Sequence, residues 1–176
     1  MWDTPPNQEV AEIKNKIRNQ LPPVQTSCAY CGLKLGGTSK GQIEHIAPKA
    51  HFRYPQFTFA LKNLVMACNY CNGFDKKGTV NTISDINRLY SKCDFTIVHP
   101  YFDDPNEHFE WDDNQIQILI SIRNGSDKAR ASIELFDLAS PKMSELRAQD
   151  VRYDELVATY PLEENDEELI NDILKK

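Results

Sequence analysis

Apolar and polar positions alternate along this chain with two different periods. In "NQEVAEIKNKIRNQLPP" the apolar residues Val10, Ile13, Ile17 and Leu21 recur at helical spacing, and Pro22 and Pro23 end the run. The pattern then shortens. Residues 26–78 hold two brief apolar runs, "QIEHI" and "NLVMA", among the turn residues Gly32, Gly36, Gly37 and Gly41, and these runs predict short strands. "NTISDINRLY" predicts a helix through Ile83, Ile86 and Leu89. Two more strands are expected at "DFTIVHP" and "QIQILISI", bracketing the acidic loop "YFDDPNEHFEWDDN". From Ser126 the period is helical again, with Ser126 and Ser140 as N-caps and Pro141 in the first turn after the second. Met143, Leu146, Leu156 and Val157 suggest an apolar stripe there, although its spacing drifts. After Pro161, "LEENDEELINDILKK" predicts a last acidic helix with Leu169, Ile170, Ile173 and Leu174 on one side. Such a face serves core packing or the docking of a partner.

The elements add up to an α+β protein in three parts: an N-terminal helix at 1–25, a cysteine-bearing core at 26–92, and a strand-and-helix extension at 93–176. Composition agrees with one ordinary domain. The chain has 176 residues, 40% hydrophobic and 26% charged, and no apolar run approaches the roughly 18 residues of a membrane span. "MWDTPPNQEV" lacks a signal-peptide profile, so a cytoplasmic location is expected, where paired cysteines bind metal more often than they form disulfides. Cys93 stands apart as a small buried hydrophobe.

Charge changes the picture. The net charge is -6, yet residues 26–92 carry nine Lys/Arg against Glu44, Asp75 and Asp85, a local net of +6. A basic segment inside an acidic chain is the asymmetry of a phosphate-binding face. Lys49, Lys76 and Lys77 are the candidate nucleic-acid contacts.

The cysteines define a metal site. Cys28-x2-Cys31 and Cys68-x2-Cys71 form two turns, each able to aim two thiolates at one point. One such pair would also suit a redox motif, whereas two describe a closed tetrahedral site for structural Zn2+. A closed site offers substrate no open position, so chemistry must come from elsewhere. Between the pairs stand Glu44 and His45, which a regular strand would put on opposite faces; a bend before Pro48 could let both reach one phosphate. Asn63 precedes the second strand, and Asn72 follows the fourth cysteine directly.

At these residues, "CAYC", "IEHIAP", "NLVMACNYCN" and "KKG", the chain resembles the HNH endonuclease family, the ββα-metal nucleases, in the subgroup with a four-cysteine zinc clip. The resemblance covers Cys28 to Gly78, and the family's three letters fall on His45, Asn63 and Asn72. It implies that His45 takes a proton from the attacking water, a role worth ~10²–10⁴-fold. It implies that Glu44 and Asn72 hold a catalytic Mg2+ or Mn2+, and that Asn63 ties the loop that orients His45. The family more often has aspartate where Glu44 stands, one methylene shorter. The wider layout, through "VHPYFDDPNEHF" and "ASIELFDLASPKMSELR", resembles the PtuB-like HNH subunits of Septu and retron-associated antiphage operons. That resemblance implies a PtuA-like ATPase partner docked on the extension. DNA is the default substrate, with RNA, including tRNA, open. A catalytically inactive zinc-binding adaptor is the rival reading. His51, His99 and His108 have no interpretable partner spacing.

Overall fold

The computed structural model describes residues 11–12, 14–16, 26–36, 41–49, 53–112 and 116–159. Residues 11–12 and 14–16 are helical. Val10, Ile13, Ile17 and Leu21, His51, and the acidic segment after Pro161 lie outside the described residues.

The two apolar runs of the core form an antiparallel hairpin. Strand β1 (Gln42–His45) pairs with β2 (Leu64–Ala67) in the register Gln42–Ala67, Ile43–Met66, Glu44–Val65 and His45–Leu64. The chain between them carries two 3-10 turns, Pro55–Phe57 and Leu61–Asn63. The first cysteine turn docks on this hairpin through Ala29 N–H, which donates to Met66 O at 2.9 Å. Gly32 closes that turn at φ +76°, a conformation that costs a residue without a β-carbon little. After β2, residues 69–79 are a run of turns. They are held by Asn72 N to Cys68 O at 3.0 Å, Lys76 N to Gly73 O at 3.1 Å and Lys77 N to Cys71 O at 3.1 Å.

Residues 81–90, expected to be helical, instead open with strand β3 (Ile83–Asp85), paired with β4 (Asp94–Phe95). The cause is local. Asn81 Oδ1 accepts from Ile83 N–H, its Nδ2 donates to Ile83 O, and Thr82 Oγ1 donates to Ile46 O. Side chains that satisfy nearby backbone groups in this way compete with a helix. The acidic loop is also partly ordered into regular elements. "FEW" within it is strand β5 (Phe109–Trp111), entered from the one-turn helix α1 (Pro105–His108). It pairs with β6 (Ile120–Ile122), so only the end of "QIQILISI" is strand, and only the first two residues of "DFTIVHP" are.

Helix α2 (Asp127–Phe136) begins at Ser126, whose side chain accepts from Ala129 N–H, and ends at Asp137 in the left-handed region at φ 52°. Helix α3 (Pro141–Thr159) buries Met143 and Arg147, while Leu156 and Val157 at its far end are exposed. Arg147 clamps the extension, donating from Nη1 to Ile118 O and from Nη2 to Leu138 O, with its guanidinium 5.4 Å from the Trp111 ring centroid.

One buried cluster runs from the cysteines and Ile46 through Phe57, Tyr90 and Phe95 to Phe109, Phe136 and Met143. The extension and the core therefore share apolar packing, reinforced by Tyr30 stacked on Phe136 at 4.3 Å. Cys93 is buried in it as a small hydrophobe, with Asn87 N–H directed at its sulfur at 3.3 Å. Among the described residues no helix is long and apolar enough to cross a membrane.

Candidate active site and metal centre

Four thiols meet where the two cysteine turns face each other. The Sγ atoms of Cys28, Cys31, Cys68 and Cys71 all lie within 4.8 Å of one another, and Cys31 Sγ is 3.9 Å from Cys68 Sγ. A tetrahedral ion with Zn–S near 2.3 Å requires about 3.8 Å between sulfurs, so the cluster can hold Zn2+ with little adjustment. All four residues are buried. Cys71 N–H points at Cys68 Sγ at 3.4 Å, a contact that favours a thiolate. The Cys28 thiol is drawn down to about 7, chiefly by the hydrogen bond from Cys31, with Cys68 and burial opposing.

Beside this anchor, β1 presents its side chains alternately. Gln42 and Glu44 share one face. There Asn72 Nδ2 donates to Gln42 Oε1 at 2.6 Å, which leaves Asn72 Oδ1 as the acceptor of that amide. Glu44 is 8% exposed, and its Oε1 lies 3.3 Å from Lys77 Nζ. Burial raises the carboxyl above its ordinary value while Lys77 draws it back; burial lowers the Lys77 ammonium while Glu44 supports it. Carboxylate and amide oxygens, the types that Glu44 and Asn72 carry, are the ligands hard divalent ions prefer.

His45 takes the other face at the end of β1, just before the bend at residues 46–47. It is buried, with Nε2 3.0 Å from Thr58 O. A carbonyl only accepts, so in the neutral ring Nε2 carries the proton and Nδ1 the lone pair.

Asn63 is fully buried, and three of its bonds lie within the loop. Its Oδ1 accepts from Ala47 N–H at 2.7 Å, and its Nδ2 donates to Ala47 O at 3.2 Å and Phe57 O at 3.0 Å. These bonds pin the chain two residues beyond His45 and one residue before Thr58. The network then leaves the core. Tyr90 O–H donates to Asn63 Oδ1 at 2.9 Å and lies 3.0 Å from His99 Nε2. His99 Nδ1 accepts from Tyr101 N–H, so the proton of this neutral imidazole sits on Nε2 and points at Tyr90. Burial holds His99 down to about 4. His99 thus backs the loop that carries His45, a role no local spacing announced; its run of adjacent aromatics was the available signal.

The three candidate lysines sit in different surroundings. Lys77 is fully buried, with its Nζ 3.3 Å from Glu44 Oε1 and 3.4 Å from Val80 O. Lys76 bonds Asp137 and lies 5.3 Å from the Tyr70 ring centroid, joining the turns after Cys71 to the end of α2. Lys49 is half-buried, and its charge acts on Glu44.

Residues 28–78 match the HNH endonuclease family, and the chain carries an HNH domain over that stretch. Across 153 residues the chain is 30% identical to Septu protein PtuB of Bacillus mycoides (strain KBAB4), covering 78% of this chain and 50% of that protein. Across 101 residues it is 30% identical to Protein ea31 of Escherichia phage lambda, covering 51% of this chain and 29% of that protein. The chain spans half the length of the first of these relatives and less of the second.

Proposed function

We propose that this chain is a metal-dependent HNH endonuclease that hydrolyses phosphodiester bonds in nucleic acid, DNA by default, in antiphage defence. The observation that carries the reading is the HNH match over residues 28–78, which spans both cysteine pairs together with Glu44, His45, Asn63 and Asn72. The likeness to Septu protein PtuB supports the defence role and an ATPase partner of the PtuA type, and in this reading that partner docks on the extension at 93–176.

In this reading the four cysteines hold structural Zn2+ and fix the turn from which Asn72 projects. A Mg2+ or Mn2+ ion held by Glu44 and Asn72 would supply charge for the phosphate oxygens and the departing 3′ oxygen. The scissile phosphate in this reading lies at the end of β1, next to the bend at residues 46–47. His45, with its proton held on Nε2 by Thr58 O, receives the proton of the attacking water at Nδ1. Asn63 keeps the loop, and with it Thr58, in the register that holds this tautomer.

The test is cleavage of plasmid DNA and of total RNA with Mg2+ or Mn2+ by the wild type and by His45→Ala. Loss of cutting by about 10²-fold or more, with zinc content and circular dichroism unchanged, is the expected result. Equal activity in the variant would move catalysis away from His45. Cleavage confined to RNA would shift the substrate, and its absence in the wild type even with the co-purified ATPase would favour the inactive adaptor.

A further inference from the structure

Lys77 is among the largest fully buried side chains of the protein. An ammonium out of water needs a compensating acceptor. Its nearest carboxylate oxygen is Glu44 Oε1 at 3.3 Å, and Val80 O follows at 3.4 Å. The backbone that delivers it has little freedom. Lys77 N–H is bonded to Cys71 O, and Val80 N–H to Lys77 O. Gly78 follows at φ +36°, where a β-carbon would stand only 3.0 Å from Phe74 O. The ammonium is therefore carried to Glu44 by the turn that also bears the fourth cysteine and Asn72.

We propose that Lys77 is a positioning residue, a resident cation that holds the Glu44 carboxylate in place and competes with the divalent ion for it. The proposal rests on the reading of Glu44 as an oxygen ligand. A buried carboxylate with no counter-charge is strongly disfavoured, and Lys77 supplies that charge before any ion arrives. A divalent ion on the same carboxylate adds two charges beside one that cannot withdraw into water. In a partly desolvated site that repulsion is large, so Lys77 weakens ion binding and raises the concentration at which the site loads.

The experiment is a Mn2+ titration of the zinc-loaded full chain, followed by electron paramagnetic resonance of the unbound ion. Wild type, Lys77→Met, Lys77→Arg and Glu44→Gln are compared. Lys77→Met is expected to bind Mn2+ at least tenfold more tightly, Lys77→Arg to stay near the wild type, and Glu44→Gln to lose the site. Unchanged or weaker binding by Lys77→Met, with Glu44→Gln still abolishing the site, overturns the competition while leaving Glu44 a ligand. Binding indifferent to Glu44→Gln overturns the ligand reading and the competition together. Should Lys77→Met fail to fold, Mg2+ titration of wild-type protein carrying 15N-lysine decides. The Lys77 Nζ resonance moves with ion occupancy if the two cations share the carboxylate, and a resonance that stays fixed as the ion binds refutes it.

Discussion

Replacing Asn63 with alanine removes four hydrogen bonds at one stroke. Ala47 N–H loses its acceptor at 2.7 Å, Ala47 O and Phe57 O lose a shared donor, and Tyr90 O–H loses the acceptor at 2.9 Å. Asn63 and Ala47 are both 0% exposed, so water cannot replace these partners without entering the core. A net contribution of about 1 kcal/mol per bond gives about 4 kcal/mol, and the orphaned Ala47 N–H pushes the figure upward. That is a large share of the roughly 5–15 kcal/mol typical of a whole domain. Urea unfolding of zinc-loaded protein by circular dichroism measures it directly. Tyr90→Phe, which removes the last of the four bonds and also the acceptor of the His99 Nε2 proton, is expected to cost about 2 kcal/mol, and the double variant to cost less than the sum. A loss below about 1 kcal/mol for Asn63→Ala would show that the buried amide does not hold the loop, and with it the physical account of how His45 is oriented would fall.

Acid should unfold the protein through His99. Its folded value of about 4 lies below its ordinary 6.5, so the unfolded chain binds a proton between the two and the folded chain does not. The stabilisation is complete above 6.5 and is lost as the pH falls toward 4, at most about 3 kcal/mol. Stability measured from pH 7 to pH 4 should fall by that much more in the wild type than in His99→Gln; parallel curves would refute it. Cys71→Ser removes one of four ligands from a site whose binding energy is of the order of 10 kcal/mol. Metal analysis should find less than one zinc per chain and circular dichroism a loss of ordered structure, whereas full zinc retention would contradict a four-thiolate centre.

Much of the core was legible because its signals are local. The spacing of the four cysteines encodes two turns that can share one ion. The apolar runs around Glu44 and Asn63 are each too short to be anything but strands once turns bound them. Ser126 and Ser140 mark helix starts by their own hydroxyls. Other elements misled because side-chain contacts and strand partners overrode their pattern. The interval from Ile83 to Ile86 to Leu89 fits a helical stripe, but Asn81 and Thr82 satisfy the backbone first and β3 follows. The strand in "FEW" is hidden by the acidic residues on either side, which its partner β6 outweighs by burying Phe109 and Ile120.

The chain itself determined which residues could ligate, which could accept a proton and where the turns fall, since these follow from side-chain chemistry and spacing. Only the tertiary structure decided what each charge and amide faces. Lys77 read from the sequence as one of three candidate nucleic-acid contacts, and the fold carries it 33 residues back along the chain onto Glu44; His99 had no partner until Tyr90 joined it to Asn63. Burial converts a charged or polar side chain from a solvated group into an obligatory partner, and which groups are buried together is a property of the packed whole.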